Sequence, residues 1–224
     1  MNKGFTQHHK DRIRKSGAGF TLVEILVTMA IVAIVGTILV TIFTNTLRGS
    51  NKSQILAVIK QNGQAVLDNM DKTIRGADNV VCPQLPSPPA IVSSNTLVVV
   101  TNGTYTRYRI TLEPSDHSIN GYIQQDNPAK QDVAGSSPLR KETESEFVSR
   151  VCNIADPMTQ IVILTDTNLQ SGVSVTTGSF TKNPQSGYKD SVTVSFTLGP
   201  GVNAPAVIAG QIDPVVFKTT VGLR

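Results

Sequence analysis

From Phe20 to Phe43 the chain runs through 24 residues that include one charged side chain, Glu24, and no proline. At about 1.5 Å rise per residue a helix of that length covers roughly 36 Å, more than the roughly 30 Å hydrocarbon core of a bilayer. The run therefore predicts a transmembrane helix over residues 20–43 rather than a buried core helix. Beyond it the helical period persists but the pattern becomes two-faced. At 100° per residue Ile55, Val58, Ile59, Val66, Leu67, Met70, Ile74 and Ala77 share one side, while Lys60, Gln61, Gln64, Asp68, Asp71, Lys72 and Arg75 share the other. Asn62 and Asn69 are exceptions. Residues 44–81 are thus expected to continue the helix as an amphipathic segment, clearest over 48–78, with Asp68–Lys72 and Asp71–Arg75 as supporting i,i+4 pairs. Gly63 weakens it, and Arg48-Gly49-Ser50-Asn51 predicts a bend or break.

Pro83, Pro86, Pro88 and Pro89 lack the backbone donor a helix needs, so residues 82–90 read as a linker. Residues 91–224 then read as a β-rich globular domain. Its clearest signal is Leu97-Val98-Val99-Val100-Thr101, then Asn102-Gly103, then a second alternating run to Ile110, which predicts a hairpin closed by a type I′ turn. Residues 113–145 are polar and turn-rich, with Gly121–Gln124 a short strand candidate. Gln160–Leu164 reads as a buried strand. Val173, Val175 and Thr177 alternate into another, Val192, Val194 and Phe196 into a third, and Pro214–Arg224 closes the chain as a last strand. The predicted class is α+β: a long N-terminal helix, transmembrane then amphipathic, packed on a C-terminal antiparallel sheet domain.

The formal charge of +4 suggests an anionic partner until it is located. Residues 1–19 contain Lys3, Lys10, Arg12, Arg14 and Lys15 against Asp11, which accounts for all of it, and the remainder is neutral. Cations beside a membrane helix stay on the cytoplasmic side, so the globular domain is expected outside the cytoplasm. That compartment suits a disulfide between Cys82 and Cys152, two unpaired buried thiols being the alternative.

A basic start before an apolar run is also the pattern of a cleavable secretory signal. Such signals have only about 7–15 apolar residues and a small-residue cleavage site, and no A-x-A follows Phe43, so the helix is expected to be kept. Glu24 is then the anomaly, because a carboxylate inside a membrane costs a few kcal/mol unless it meets a cation. Cleavage after Gly19 would create one, the free amino group of Phe20, in the same chain or a neighbour.

Gly19-Phe20-Thr21-Leu22-Val23-Glu24, behind a short basic leader and ahead of an unbroken apolar helix, resembles the cleavage and methylation motif of the type IV pilin and type II secretion pseudopilin family. The resemblance implies that a prepilin peptidase/methyltransferase removes residues 1–19, cutting between Gly19 and Phe20, and methylates the new terminus. It also implies that Glu24 neutralises the terminus of an adjacent subunit. The extension from Ala65 to Ala77 into a large β-rich domain is similar to the W-type minor pilins and J-type minor pseudopilins, which implies a priming or tip position. Major pilins of that family often carry a proline partway along the apolar helix; none occurs here before Pro83, which disfavours a major subunit.

Little in the domain suggests chemistry. His117 with Asp116 lies in a polar loop with no G-x-S-x-G elbow, and no phosphate-binding loop occurs. His8 and His9 in the leader are read as inert. Asp126, Asp132 and Asp166 match no EF-hand spacing and read as solvated. Tyr105, Arg107, Tyr108 and Arg109 could stack on a single-stranded nucleic acid, but cross-strand packing is the stronger reading, and no nucleic-acid partner, metal, cofactor or enzymatic activity is expected. The expected partners are the peptidase, other pilin or pseudopilin subunits, an inner-membrane assembly platform with its ATPase, and membrane lipid before assembly. The expected location is the cytoplasmic membrane, then a surface pilus or periplasmic pseudopilus. A single-pass anchored binding module that never polymerises is the alternative, and an anchored enzyme the third reading.

Overall fold

The computed structural model describes residues 19–84, 91–135, 140–184, 187–205 and 210–223. The leader through Ala18, with His8 and His9, and the linker prolines Pro86, Pro88 and Pro89 lie outside the described residues. Contacts divide the chain into a unit ending at Leu47 and a unit from Arg48 to Arg224.

In the first unit, helix α1 (Leu22–Arg75) begins. Its described residues to Leu47 are exposed except the half-buried Gly36. An 18-residue window reaches a mean hydropathy of 2.8. The threonines do not break this apolar surface. Hydroxyls of Thr28, Thr37, Thr41, Thr44 and Thr46 donate to carbonyls three or four residues back at 2.8–3.0 Å, so each polar group is satisfied within the helix.

In the second unit α1 buries Ile59, Gly63, Val66, Met70 and Ile74, the face read from the sequence. The residues around Gly49 stay helical, so the expected break does not occur. The two exceptions on that face are its polar partners. Asn62 Oδ1 accepts from the Asp166 amide at 2.9 Å, and Asn69 Oδ1 accepts from the Tyr108 hydroxyl at 2.9 Å. Asp71 pairs with Arg75 at 2.7 Å, while Asp68 accepts from Gln64. The helix ends at Arg75, short of the proline segment. The Asp78 amide donates to Val100 O at 2.8 Å and draws the chain into strand β1 (Asn79–Cys82), where the sequence pattern suggested more helix.

Two antiparallel sheets follow, and with α1 they make the expected α+β fold. The first has the order β1, β3 (Thr96–Thr101), β4 (Thr104–Thr111), β5 (Tyr122–Asp126), β6 (Val162–Ile163), with β2 (Val92–Ser94) assigned to the other. The second is ordered β2, β7 (Val173–Asn183), β8 (Ser191–Pro200), β9 (Val215–Gly222). The β3–β4 turn has φ 49° at Asn102 and 77° at Gly103, the left-handed pair that a type I′ hairpin requires. One core joins α1 to both sheets: Leu97, Tyr108 and Ile110 from the first, Val175, Phe180, Val194 and Phe196 from the second. On the far face of the second sheet, hydroxyls bond across strands, Ser93 with Thr181, Thr177 with Thr197 and Thr193 with Thr220, at 2.8–2.9 Å. A bulge between Val175 and Thr177 turns Thr177 to that face and interrupts the alternation expected there.

Two further differences concern the first sheet. Helix α2 (Glu144–Val151) begins at the end of the stretch that reads as polar and turn-rich, because Thr143 and Glu146 form a full capping box that starts it. Gln160–Leu164 is not a buried strand: β6 is an edge of two residues, with Ile161, Val162 and Ile163 each about half exposed (48%, 56% and 49%).

Candidate functional site

The chain ahead of α1 is extended and open. Phe20 is 79% exposed, and Gly19 and Phe20 are not helical. Thr21 is the N-cap: its hydroxyl accepts from the Glu24 amide at 3.2 Å and its carbonyl from the Ile25 amide at 3.2 Å. Glu24 therefore lies in the first turn, where the helix dipole favours a carboxylate. Its side chain is exposed and enters no ion pair among the described residues. A peptide bond before the cap can enter a protease without unwinding helix, and a new amino group at Phe20 would sit one residue before the cap and four before Glu24. The Thr21–Glu24 spacing, Thr-x-x-Glu, is itself a helix-start signal legible in the sequence.

Cys82 and Cys152 are bonded, with Cα atoms 5.6 Å apart, joining β1 to the residue after α2. Val98, Phe147 and Val151 pack around the bridge.

The hairpin arginines face an ionic layer instead of solvent. Arg107 is 1% exposed and forks onto Asp126 at 2.8 and 2.6 Å, with a third bond to Asp156 at 2.5 Å. Burial opposes its charge, but the two carboxylates outweigh burial and raise its pKa. Arg109 donates to the carbonyls of Asp156 and Asn153. Burial, then the charge of Arg107, lowers its pKa. Arg150 of α2 binds Glu142 at 2.7 Å and Asp156 at 3.2 Å. Asp126 is thus a buried ion-pair member and not a solvated loop residue. Neither buried guanidinium is free to neutralise a nucleic acid. The Tyr105 hydroxyl donates to Glu144 at 2.6 Å, which, with burial, pushes its pKa up to about 12.

His117 contacts Glu113 through Nδ1, and the other Glu113 oxygen accepts from the Ser174 hydroxyl at 2.5 Å. The carboxylate stands between imidazole and hydroxyl, so His117 does not touch the serine and the Ser-His order of a hydrolase triad is not formed. Asp166 caps a local turn by accepting from the Asn168 amide, and Asp132 bridges to Lys141 through backbone. Among the described residues no three His, Cys, Asp or Glu side chains converge on a point where a metal could bind.

Residues 14–40 match the family model described as the prokaryotic N-terminal methylation motif, the signature of type IV pilins and pseudopilins. The match spans Arg14 and Lys15 before the junction, the capped helix start and most of the apolar run, and leaves the sheets unassigned. No curated protein and no solved structure matches the chain. The motif implies processing by a prepilin peptidase and assembly with other pilin-type subunits, and the apolar helix is consistent with membrane anchoring.

Proposed function

We propose that this chain is a minor pilin or pseudopilin, a structural subunit rather than a catalyst. The methylation motif is the premise and the observation that carries the reading. The basic leader, residues 1–19, is removed at the Gly19–Phe20 bond, and the Phe20 amine is methylated. Residues 20–43 hold the subunit in the cytoplasmic membrane with the domain outside, until an assembly platform and its ATPase draw it into a filament.

Glu24 supports this reading by its position. A carboxylate four residues beyond the new terminus, in an apolar helix, needs a cation that the helix does not supply, and a neighbour's Phe20 amine supplies it. The domain from Arg48 onward, with two sheets and a disulfide, is a large body that suits a priming or tip position better than dense packing along a shaft.

Mass spectrometry of the protein from its own membrane, with and without the prepilin peptidase, tests the reading. A mature chain beginning at methylated Phe20 only when the peptidase is active is the expected result. An uncut leader beside active peptidase would leave an anchored binding module that does not polymerise. Glu24→Ala is expected to be cut normally but to fail to cross-link to other subunits.

A further inference from the structure

At the tip of the β3–β4 hairpin a cleft of about 560 Å³ opens between Gly103–Tyr105 and the segment Asn127–Lys130 that follows β5. That volume lies within the roughly 300–1,000 Å³ of small-molecule sites. The type I′ turn keeps its mouth clear, because Gly103 at φ 77° has no side chain and nothing stands within 4 Å of where a Cβ would be.

Two of the walls, Tyr105 and Lys130, are held before any ligand arrives. The Tyr105 ring packs on Phe147 with centroids 4.5 Å apart, and its hydroxyl is held by Glu144. Lys130 Nζ lies 2.7 Å from the same carboxylate, so the cation that lines the cleft among the described residues is already balanced. Thr104 and Asn127 line the remainder and are exposed, with a free hydroxyl and amide to offer.

This composition selects by exclusion. An anion would have to displace Glu144 from Lys130 to gain its charge. A wholly apolar ligand would strip water from Thr104 and Asn127 and return no hydrogen bonds. A ligand with an apolar C–H face and several neutral hydroxyls meets every wall. We propose that the cleft binds a neutral sugar residue of a glycan, with Tyr105 as the rigid aromatic wall and Thr104, Asn127 and Lys130 as hydrogen-bond partners. The proposal is independent of whether the chain polymerises.

The test is calorimetric titration of the full chain, in a detergent without a sugar headgroup, with maltotriose, cellotriose and tri-N-acetylchitotriose, and with trigalacturonate as the charged control. At least one neutral trisaccharide is expected to bind and trigalacturonate to bind more weakly. Ala129→Trp fills the cleft from an exposed position and leaves the Ala129 carbonyl on Arg150, so binding should fall at least about tenfold. Lys130→Ala should weaken binding several-fold, whereas Tyr105→Phe, which keeps the ring, should change it little. Failure of all three neutral sugars to bind overturns the proposal. So does unchanged binding by both Ala129→Trp and Lys130→Ala, or tighter binding of trigalacturonate.

Discussion

Replacing Gly63 by alanine sets two effects against each other, and the structure decides between them. Helix propensity alone favours the change by about 1 kcal/mol, since glycine in a helix interior is the weaker former. Packing opposes it. A Cβ at Gly63 would stand 2.2–2.5 Å from three ring atoms of Phe217, more than 1 Å inside ordinary contact. The ring cannot slide freely, because it is stacked on Phe196 with centroids 5.4 Å apart and planes 18° apart. Relief requires Phe217 to swing off the helix, and overpacking of this kind costs about 1–3 kcal/mol, at the upper end when the overlap is this deep. The expected net is a destabilisation of about 1–2 kcal/mol. For a domain of this size each kcal/mol lowers the melting temperature by roughly 2–4 °C. Thermal and urea unfolding of the full chain in detergent, followed by circular dichroism, measures it. Phe217→Leu alone should also destabilise, but Gly63→Ala should cost less in the Phe217→Leu background than in the wild type. A Gly63→Ala variant as stable as the wild type, or more so, would refute the packing argument and leave propensity in charge.

Other expectations follow from the ionic layer, the bridge and α2. Asp126→Ala leaves Arg107 buried with one carboxylate where it had two, and should destabilise by about 3–5 kcal/mol in urea titration. Joint Cys82→Ser and Cys152→Ser substitution opens a loop with a sequence separation of 70, and should lose about 4 kcal/mol by the chain-entropy argument, measured as the unfolding difference under non-reducing conditions. Glu146, held by Arg140 and the Thr143 cap, and Glu142, held by Arg150, both have depressed pKa values. Their support of α2 is complete above the ordinary glutamate value of 4.5 and is lost as pH falls below it toward the depressed values. Amide exchange over Phe147–Val151, corrected for its intrinsic pH dependence, should rise in that window, and Glu142→Gln with Glu146→Gln should flatten the rise.

The long helix, the hairpin and the strands around Val192 and Val215 were legible because one face of each is apolar and the period survives in sequence. The junction at Gly19–Phe20 was legible because its residues are contiguous. What escaped was set by partners distant in sequence. β6 is apolar enough to read as interior, yet it is the edge strand of its sheet and pairs with β5 alone among the described residues. Asp126 reads as a loop acid until Arg107 is placed opposite it in register. Helix α2 is signalled by Thr143-Glu144-Ser145-Glu146 ahead of Phe147, which has the capping-box spacing, but so short a helix is hidden by the polar, turn-rich stretch it grows out of.

The two-layer character of β4 reaches beyond stability. Tyr108 and Ile110 enter the apolar core while Arg107 and Arg109 enter the ionic layer, so both faces of one strand are buried with opposite chemistry. A one-residue slip against β3 or β5 would drive two guanidinium groups into hydrocarbon and lift an aromatic ring among carboxylates, at a cost of several kcal/mol for each stranded charge. Buried ion pairs add little net free energy to a correct fold. Here they make the nearest wrong pairing untenable, so the arginines serve as a proofreading device for the sheet as it forms.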